Sequence, residues 1–395
     1  MKRYLTTLEG KPHRKIELVE EGDDSSNEPG LTFAPSERLG TAMLFRCVFV
    51  LCFLLFSTSA QAEEDRLLYR FSFVGCNRVG FEVDPVLNPS TANVEQLRNT
   101  FREVARATPK PSHLFLVGDL ILGYTGYLST VDQLQAWKRL YERSELKGSG
   151  VEMVPIVGNH EMLLSHQNAT TKLWRDAPNP IAAKAWREVM KPLLKWRDGP
   201  TPNPPNLDSL TDTQEDLSFT VRDRGVLFVV LNTDTFIDNV TVGDIPLHWL
   251  EEQLLAAEQD DTISDVFVLG HKPLLKPDLE AAIIREPEIE PALKLLNAST
   301  KVRAFLAAHY HLWDMRPLPG GIPQVIAGNG GSPLKGPFID PEVGYFGYTI
   351  VDLMESGKIV VESWGRPVPE PYSSDEPQPP ATLRERRVIE PRRTF

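Results

Sequence analysis

Hydrophobic positions after residue 65 follow two alternating spacings, and each spacing predicts a different element. Short apolar runs at residues 68–74, 114–117 and 153–157 have the length of buried strands. Between them, apolar residues recur every three or four positions, which is the period of a helix. The first such set is Val94, Leu97, Phe101 and Val104, and the second is Leu134, Trp137, Leu140 and Tyr141. This alternation predicts a layered α/β domain.

The second half of the chain continues the order after an interruption at residues 164–214. Three more β-rich runs lie at 226–231, 266–269 and 302–307, and a helical pattern at 247–255 separates the first two. The interruption contains three tryptophans and a proline-rich stretch at 200–205. An insertion of that length in a compact domain is usually a cap or a binding loop, so we interpret 164–214 as a partly helical lid. A surface excursion with no role is the alternative.

The N-terminal region has the pattern of an export signal. The apolar run at 47–56 is ten residues long, shorter than the ~20 that a membrane span needs. An A-x-A sequence ends at Ala62, which predicts a Sec-type signal peptide at 43–62, cleavage near Ala62-Glu63, and a secreted or periplasmic protein with no stable membrane span afterwards. Met43 is then the true start, and residues 1–42 are a non-native or disordered extension. An uncleaved anchor is the alternative.

Composition narrows the functional class. The hydrophobic fraction of 41% and the charged fraction of 24% are ordinary for a globular protein. The net charge of -12 argues against binding a nucleic-acid polymer but permits a small phosphorylated substrate. Residues 366–395 are rich in proline and arginine and predict a disordered tail. Signal cleavage removes Cys47 and Cys52 and leaves Cys76 alone.

Polar residues that bind metals follow several predicted strands. The segments are Gly118-Asp119, Gly158-Asn159-His160, Gly270-His271 and His309-Tyr310-His311. Sites in α/β sheets form beyond the carboxyl ends of strands, so these side chains can converge. In an extended segment, residues two apart point to the same face, so His309 and His311 can both reach a metal. The pattern predicts a metal-dependent hydrolase.

These motifs, in this order and spacing, resemble those of the calcineurin-like metallophosphoesterases, particularly the secreted branch related to purple acid phosphatases. The resemblance covers roughly residues 68–365, and we take residues 65–365 as the domain. It implies a four-layer αββα sandwich of two mixed β-sheets flanked by helices. It also implies hydrolysis of a phosphate mono- or diester by a metal-activated hydroxide.

The resemblance assigns a role to each motif residue. Asp119 would bridge two metal ions of Fe, Zn or Mn, with one site completed by Asn159, His271 and His309 and the other served by His311. His160 would lie near the leaving group as an acid or transition-state stabiliser. Glu161 would orient the His160 side chain without binding a metal ion itself.

The first motif departs from the family, which has Asp-x-His or Asp-x-Gly where this chain has Cys76-Asn77-Arg78. Three interpretations stay open. Cys76 replaces the aspartate as a thiolate ligand, the Asn77 side-chain oxygen binds while Arg78 clamps the phosphate, or Cys76 is only a small buried residue and the first metal site is weak or empty. Tyr124 follows Asp119 by five residues rather than by the three typical of purple acid phosphatases, so it is a poor match for their phenolate ligand.

Two other functional classes compete with this hydrolase. The first is a catalytically weakened or inactive relative that binds metal and acts as a binding module. The second is a serine hydrolase, which we set aside because the sequence contains no Gly-x-Ser-x-Gly. A P-loop is also missing from the sequence.

Overall fold

A computed structural model describes the greater part of the predicted domain. It covers residues 65–80, 88–167, 170, 174–194, 208, 214–237, 241–277, 284, 286–369 and 377–391. The chain divides into two units, Met1–Glu63 and Glu64–Phe395. The predicted N-terminal extension and signal peptide lie outside the described residues, because the described part of the chain begins at residue 65. Among the helices that are described, none is long and apolar enough to cross a membrane.

The predicted alternation of strands and helices is present. The strands are β1 (Leu67–Val74), β2 (His113–Val117), β3 (Glu152–Ile156), β4 (Leu163–Gln167), β5 (Trp174–Pro178), β6 (Phe219–Asp223), β7 (Val226–Leu231), β8 (Thr235–Ile237), β9 (Thr241–Asp244), β10 (Asp265–Gly270), β11 (Val302–Ala307), β12 (Trp313–Pro317), β13 (Pro323–Ala327), β14 (Phe346–Met354), β15 (Ile359–Arg366) and β16 (Thr382–Ile389). The helices are α1 (Val94–Arg106), α2 (Tyr127–Glu142), α3 (Asn159–Met162), α4 (Ala182–Met190), α5 (Leu247–Gln259) and α6 (Glu286–Ala298). Short 3-10 turns lie at Glu145–Gly148, Lys191–Leu193 and Gly336–Ile339.

Two six-stranded sheets carry the fold. The first has the order β16-β15-β14-β1-β2-β3, and the second has the order β12-β13-β11-β10-β7-β6. In the first sheet β1, β2 and β3 are parallel, and β14, β15 and β16 add to it in antiparallel fashion. In the second sheet β7, β10, β11 and β13 are parallel, while β6 and β12 are antiparallel edges. Both sheets are therefore mixed, and each contains a run of neighbouring parallel strands. The carboxyl ends of the strands in each run lie on the same side.

The two sheets pack through aromatic residues on their facing surfaces. Successive side chains of a strand point to opposite faces, so Phe71 and Phe73 of β1 lie on the same side. The Phe71 ring meets Phe228 of β7 at 5.0 Å and Phe267 of β10 at 4.9 Å between centroids, both edge-on. Phe115 of β2 lies 4.5 Å from Phe228. This edge-to-face arrangement suits aromatic quadrupoles and joins the sheets in one apolar core.

Helices cover both outer faces. Leu114 and Leu116, which alternate with Phe115 along β2, belong to a separate apolar cluster with Phe101 of α1 and Trp137 of α2. On the other side, Trp249 of α5 and residues of α6 join the core of the second sheet. The predicted four-layer αββα sandwich is confirmed.

The C-terminal segment forms a strand where the composition predicted disorder. β16 pairs with β15 in antiparallel register along seven residue pairs, from Ile389 opposite Ile359 to Thr382 opposite Gly365. The prediction of a disordered tail is thus wrong for residues 377–391. Backbone pairing onto an existing sheet edge needs few apolar side chains, and charged side chains are typical of edge strands. Residues 370–376 and 392–395 lie outside the description.

The insertion at 164–214 is described in part. It contributes the hairpin of β4 and β5 and the helix α4. Trp186 of α4 is buried, and its indole N–H donates to the Asp216 carbonyl at 3.3 Å. The proline-rich stretch lies outside the described residues, so the lid remains a prediction.

Candidate metal centre

The site begins with the backbone just beyond the parallel strands. Cys76, Asp119 and His309 follow β1, β2 and β11, and each has a left-handed backbone with φ of 57°, 56° and 63°. Such a conformation costs a non-glycine residue about 1–2 kcal/mol, so the surrounding bonds must hold it. The N–H groups of Asn77 and Arg78 both donate to the Asp119 carbonyl, at 3.0 and 3.2 Å. Backbone strain held in this way is typical of functional sites.

Two glycines allow the loops to approach. A Cβ on Gly118 would lie 2.4 Å from His271 Nδ1, and one on Gly158 would lie 2.6 Å from both the nitrogen and Oδ1 of Asp119. Gly118 also has a φ of 77°. A side chain at either position would collide with these atoms, so the close packing of the loops requires glycine there.

Four predicted ligands meet in one buried cluster. His271 Nε2 lies 3.1 Å from Asp119 Oδ1 and 3.0 Å from Asn159 Oδ1. His309 Nδ1 lies 3.0 Å from the same Asn159 oxygen and 3.2 Å from His271 Nε2. Ligand atoms at right angles around a metal with bonds of about 2.1 Å lie about 3.0 Å apart. The spacing of these atoms therefore matches the edges of a single coordination shell.

Proton positions in this cluster also favour a cation. His271 Nδ1–H donates to the Val117 carbonyl at 2.8 Å, so Nε2 of the neutral ring carries a lone pair. The Asn159 amide nitrogen donates to the Tyr124 hydroxyl, which turns Asn159 Oδ1 inward. The Asn159 oxygen lies 3.0 Å from His271 Nε2, which is a distance that either a proton on Nε2 or a metal ion shared by the two atoms would satisfy. These residues fit a metal ion.

The titration of the two histidines agrees with such a site. Burial and the charge of His271 hold the pKa of His309 well below its usual value, so that ring is neutral. Burial opposes the protonation of His271, but the Asp119 carboxylate outweighs it and raises its pKa. A metal ion would compete for that proton, because a histidine ligand must be neutral.

Asp119 lies between the two halves of the centre. Its Oδ1 faces His271 and also accepts the His160 backbone N–H at 3.1 Å. Its Oδ2 lies 3.4 Å from Arg78 Nε and 3.8 Å from His160 Nε2. Burial alone would raise the pKa of Asp119, but its interactions with His160, His271 and Arg78 outweigh burial and hold the pKa well below its usual range.

The second half brings together Cys76, Asp119 and His311, whose candidate ligand atoms all lie within 4.8 Å of one another. The Cys76 thiol is fully buried, and burial followed by the charge of Asp119 raises its pKa well above the usual value. His311 Nδ1 lies 2.7 Å from the Pro333 carbonyl, which leaves Nε2 facing inward. The Arg78 side chain lies in this half, with Nη2 at 3.4 Å from His311 Nε2. A metal ion does not fit here while the guanidinium holds this position.

Asn77 is turned toward another loop. Its amide nitrogen donates to the Gly330 carbonyl at 3.1 Å and to the Asn93 carbonyl at 3.4 Å. Its Oδ1 is buried without a partner in the part of the chain that is described. Of the two candidate replacements for the aspartate, it is Cys76 that the structure brings to Asp119 and His311.

Glu161 supports the loops rather than the His160 ring. Its carboxylate accepts four backbone N–H groups, from Gly158, Asp119, Leu120 and Ile121, at 2.8–3.2 Å. The prediction that it orients His160 is therefore wrong, since His160 Nδ1 is bonded to the Leu122 carbonyl instead. Burial, then the charge of Asp119, raises the pKa of Glu161 to about 7.

His160 is buried and neutral. Burial, and then the charge of Arg78, lowers its pKa to about 3. Because His160 Nδ1–H donates to the Leu122 carbonyl, the lone pair of the neutral ring is on Nε2 and points toward Asp119. An acid role for His160 requires a second proton on this ring.

Sequence reasoning missed the roles of Tyr124 and of a buried ion pair. Tyr124 holds the Asn159 amide, and its ring lies 4.2 Å from that of His160. Lys272 Nζ lies 2.6 Å from Asp234 Oδ1, and both side chains are buried. Asp234 contributes to the charge acting on His271. The sequence contains part of the information needed to find Asp234, because this residue follows strand β7 as the candidate ligands follow their strands.

Comparison with known proteins gives a family match. A model of the calcineurin-like phosphoesterases matches residues 90–312. No curated protein matches the chain by sequence. A purple acid phosphatase from yellow lupin (Lupinus luteus) seeds aligns with 14% identity and a TM-score of 0.52 over 82% of this chain and 53% of its own. The chain thus spans about half the length of the lupin protein.

Two further solved structures are similar. A dimetal phosphatase from Danio rerio has 13% identity and a TM-score of 0.52, covering 83% of this chain and 100% of its own. PhoD has 13% identity and a TM-score of 0.54, covering 83% of this chain and 70% of its own. At these identities the likeness establishes a common fold.

Proposed function

Because the chain belongs to the calcineurin-like phosphoesterase family, we propose that it hydrolyses a phosphate mono- or diester with a metal ion held by Asp119, Asn159, His271 and His309. The observation that carries this is the convergence of four ligand atoms at 3.0–3.2 Å. The tautomer of His271 and the orientation of Asn159 both direct lone pairs to one point. Zn, Fe and Mn all accept such a mixed nitrogen and oxygen set.

The protein residues around the ion divide the work. A bound metal ion supplies a Lewis acid that activates water and polarises the phosphoryl group. Asp119 keeps its negative charge at any working pH, since its pKa is held well below the usual range. The negative charge of a bound phosphoester would favour protonation of His160, which then becomes able to donate to the leaving oxygen. Arg78 offers a guanidinium whose planar fork matches phosphate oxygens.

The test is metal content and turnover in matched variants. We expect the wild-type protein to bind Zn²⁺ or Mn²⁺ and to hydrolyse a chromogenic phosphate ester. Asn159→Ala should lose metal affinity by about 100-fold or more, because it removes a ligand and leaves His271 and His309. Asn297→Ala is the control, since the Asn297 amide nitrogen donates to the Pro319 carbonyl and Asn297 is not among the candidate ligands. Unchanged metal content in Asn159→Ala would overturn the site.

A binding module with little or no catalysis is the second candidate. It is favoured by one observation, the cysteine that stands in place of the first aspartate beside Arg78. Metal binding by the wild-type protein without turnover of any phosphate ester would support this candidate over the enzyme.

We also propose that the substrate is a small phosphorylated molecule and that the protein is exported. Export rests on the sequence of residues 43–62 and on the A-x-A pattern before Glu63. N-terminal sequencing of the protein from the periplasm or medium tests it. A mature chain that begins far from Glu63 would contradict the cleavage site.

A further inference from the structure

The Arg78 side chain lies inside the centre, where the second metal ion of a two-metal site would be. Its Nε is 3.4 Å from Asp119 Oδ2 and its Nη2 is 3.4 Å from His311 Nε2. Those two atoms are the candidate ligands that this half of the centre offers besides the Cys76 sulfur. The guanidinium thus faces the same lone pairs that a metal would need.

We propose that the Arg78 guanidinium replaces the second metal ion, so that the centre holds one metal at Asp119, Asn159, His271 and His309 and a fixed organic cation beside it. The inference rests on the proposed function, because it presupposes the metal at the first four residues. An arginine is charged at every physiological pH. Its charge can therefore offset the negative charge at Asp119 Oδ2 at every physiological pH, without metal uptake.

The His311 ring is oriented to accept a hydrogen bond from arginine. Its Nδ1–H points at the Pro333 carbonyl at 2.7 Å, so the lone pair of the neutral ring is on Nε2. Arg78 Nη2 is a donor and has no acceptor capacity, so the contact at 3.4 Å pairs a donor with an acceptor. The first half of the centre instead gathers His271 Nε2, His309 Nδ1 and Asn159 Oδ1 at 3.0–3.2 Å from one another. The second half therefore already holds a fixed cationic donor opposite His311, while the first half gathers the candidate metal ligands.

The loop holds Arg78 in this position. Its backbone N–H donates to the Asp119 carbonyl at 3.2 Å, and its carbonyl accepts from the Ser332 hydroxyl at 3.1 Å. A β-bridge joins Arg78 to Ala92. The side chain is only 10% exposed. These contacts fix the root of the side chain, so the guanidinium is positioned by the fold.

The charge balance of this half also disfavours a second dication. Asp119 is the single carboxylate of the group of Cys76, Asp119 and His311, and the first half shares it. The Arg78 guanidinium already lies 3.4 Å from Oδ2 of that carboxylate. A further dication would meet net repulsion unless Arg78 moved away.

The arrangement leaves part of the guanidinium for substrate. A guanidinium has five N–H donors, and the contacts with Asp119, His311 and the Val79 carbonyl use about three. The remaining donors can bind a phosphate oxygen next to the metal. The same side chain then neutralises Asp119 and clamps the phosphoryl group.

The test is the number of metal ions rather than activity. Wild-type protein is loaded with Mn²⁺, desalted and measured by elemental analysis and electron paramagnetic resonance. We expect about one equivalent per chain and the signal of an isolated ion. About two equivalents with a spin-coupled signal would overturn the inference, and this result decides it without any variant.

A variant pair gives a second, independent readout. Cys76→Asp combined with Arg78→Ala restores a carboxylate and removes the cation, and we expect it to bind about two equivalents with spin coupling. Arg78→Lys keeps a cation in the half and should stay at about one equivalent. A stoichiometry of one in the double variant would contradict the role of Arg78. Failure of the proposed function looks different, because it gives no bound metal in the wild type or unchanged metal in Asn159→Ala.

Discussion

Glu161 Oε2 accepts the backbone N–H of Asp119 at 3.0 Å, so a buried acid fixes the loop that carries the central carboxylate. The same carboxyl group accepts from Gly158 N–H at 2.8 Å. It thereby joins the loops after β2 and β3, which carry Asp119 and Asn159. The positions of two ligands thus depend on a residue that need not touch the metal.

Replacing Glu161 with glutamine should destabilise this junction. The amide has one oxygen where the carboxylate uses two, so two of four buried N–H groups lose their acceptor and face an NH₂ donor. Each buried unpaired group costs about 1–3 kcal/mol, so Glu161→Gln should lower the free energy of unfolding by about 2–6 kcal/mol. Denaturant unfolding in the presence of a chelator measures this without metal. Glu142→Gln on the exposed end of α2 is the control, and a loss equal to that of the control would contradict the role of Glu161.

The sequence was sufficient to predict that the candidate ligands of the first half lie together. Asp119, Asn159 and His271 each follow an apolar run and a glycine, and these are local features of the chain. Parallel strands bring their carboxyl ends to one edge whatever the loops between them. The convergence of these residues therefore followed from strand order alone.

The second half could not be predicted in the same way. Whether Cys76, Asn77 or Arg78 points at Asp119 depends on a left-handed turn at Cys76 and on bonds to loops more than 200 residues away, such as Asn77 to Gly330 and Arg78 to Ser332. No period in the sequence carries that information. The strand β16 was missed for a related reason, because its stability comes from backbone pairing with β15 rather than from its own side chains.

Tyr124 should control metal affinity through Asn159. Its hydroxyl accepts from the Asn159 amide nitrogen, so Tyr124→Phe leaves that amide free to rotate its oxygen out of the cluster. Loss of a partner that orients a ligand typically weakens metal binding by about 10–100-fold. Calorimetric titration of metal-free protein with Zn²⁺ measures the change.

The control for this prediction is Tyr127→Phe. Tyr127 also bonds through its hydroxyl, but to Glu188 on the surface. Equal Zn²⁺ affinities for Tyr124→Phe and Tyr127→Phe would show that the orientation of Asn159 does not depend on the hydroxyl.

His160 should make the metal-free protein sensitive to acid. Its pKa is lowered to about 3 in the folded protein, against ~6.5 in an unfolded chain. Between these values the unfolded chain binds a proton that the folded protein excludes. The free energy of unfolding therefore falls as the pH falls from about 6.5 toward about 3, and the stabilisation is complete only above about 6.5.

His160→Gln removes this contribution while it keeps a polar side chain of similar length. We expect the slope of unfolding free energy against pH, measured with a chelator between about pH 4.5 and 6, to decrease by up to 1.4 kcal/mol per pH unit relative to wild type. The pKa values of His309 and His311 are also held well below the usual range, mainly by burial, so both proteins should retain their share of the slope. His248→Gln, on the exposed face of α5, is the matched control. Equal slopes for His160→Gln and His248→Gln would mean that His160 takes up its proton in the folded protein, and its neutral state at Asp119 would then have to be abandoned.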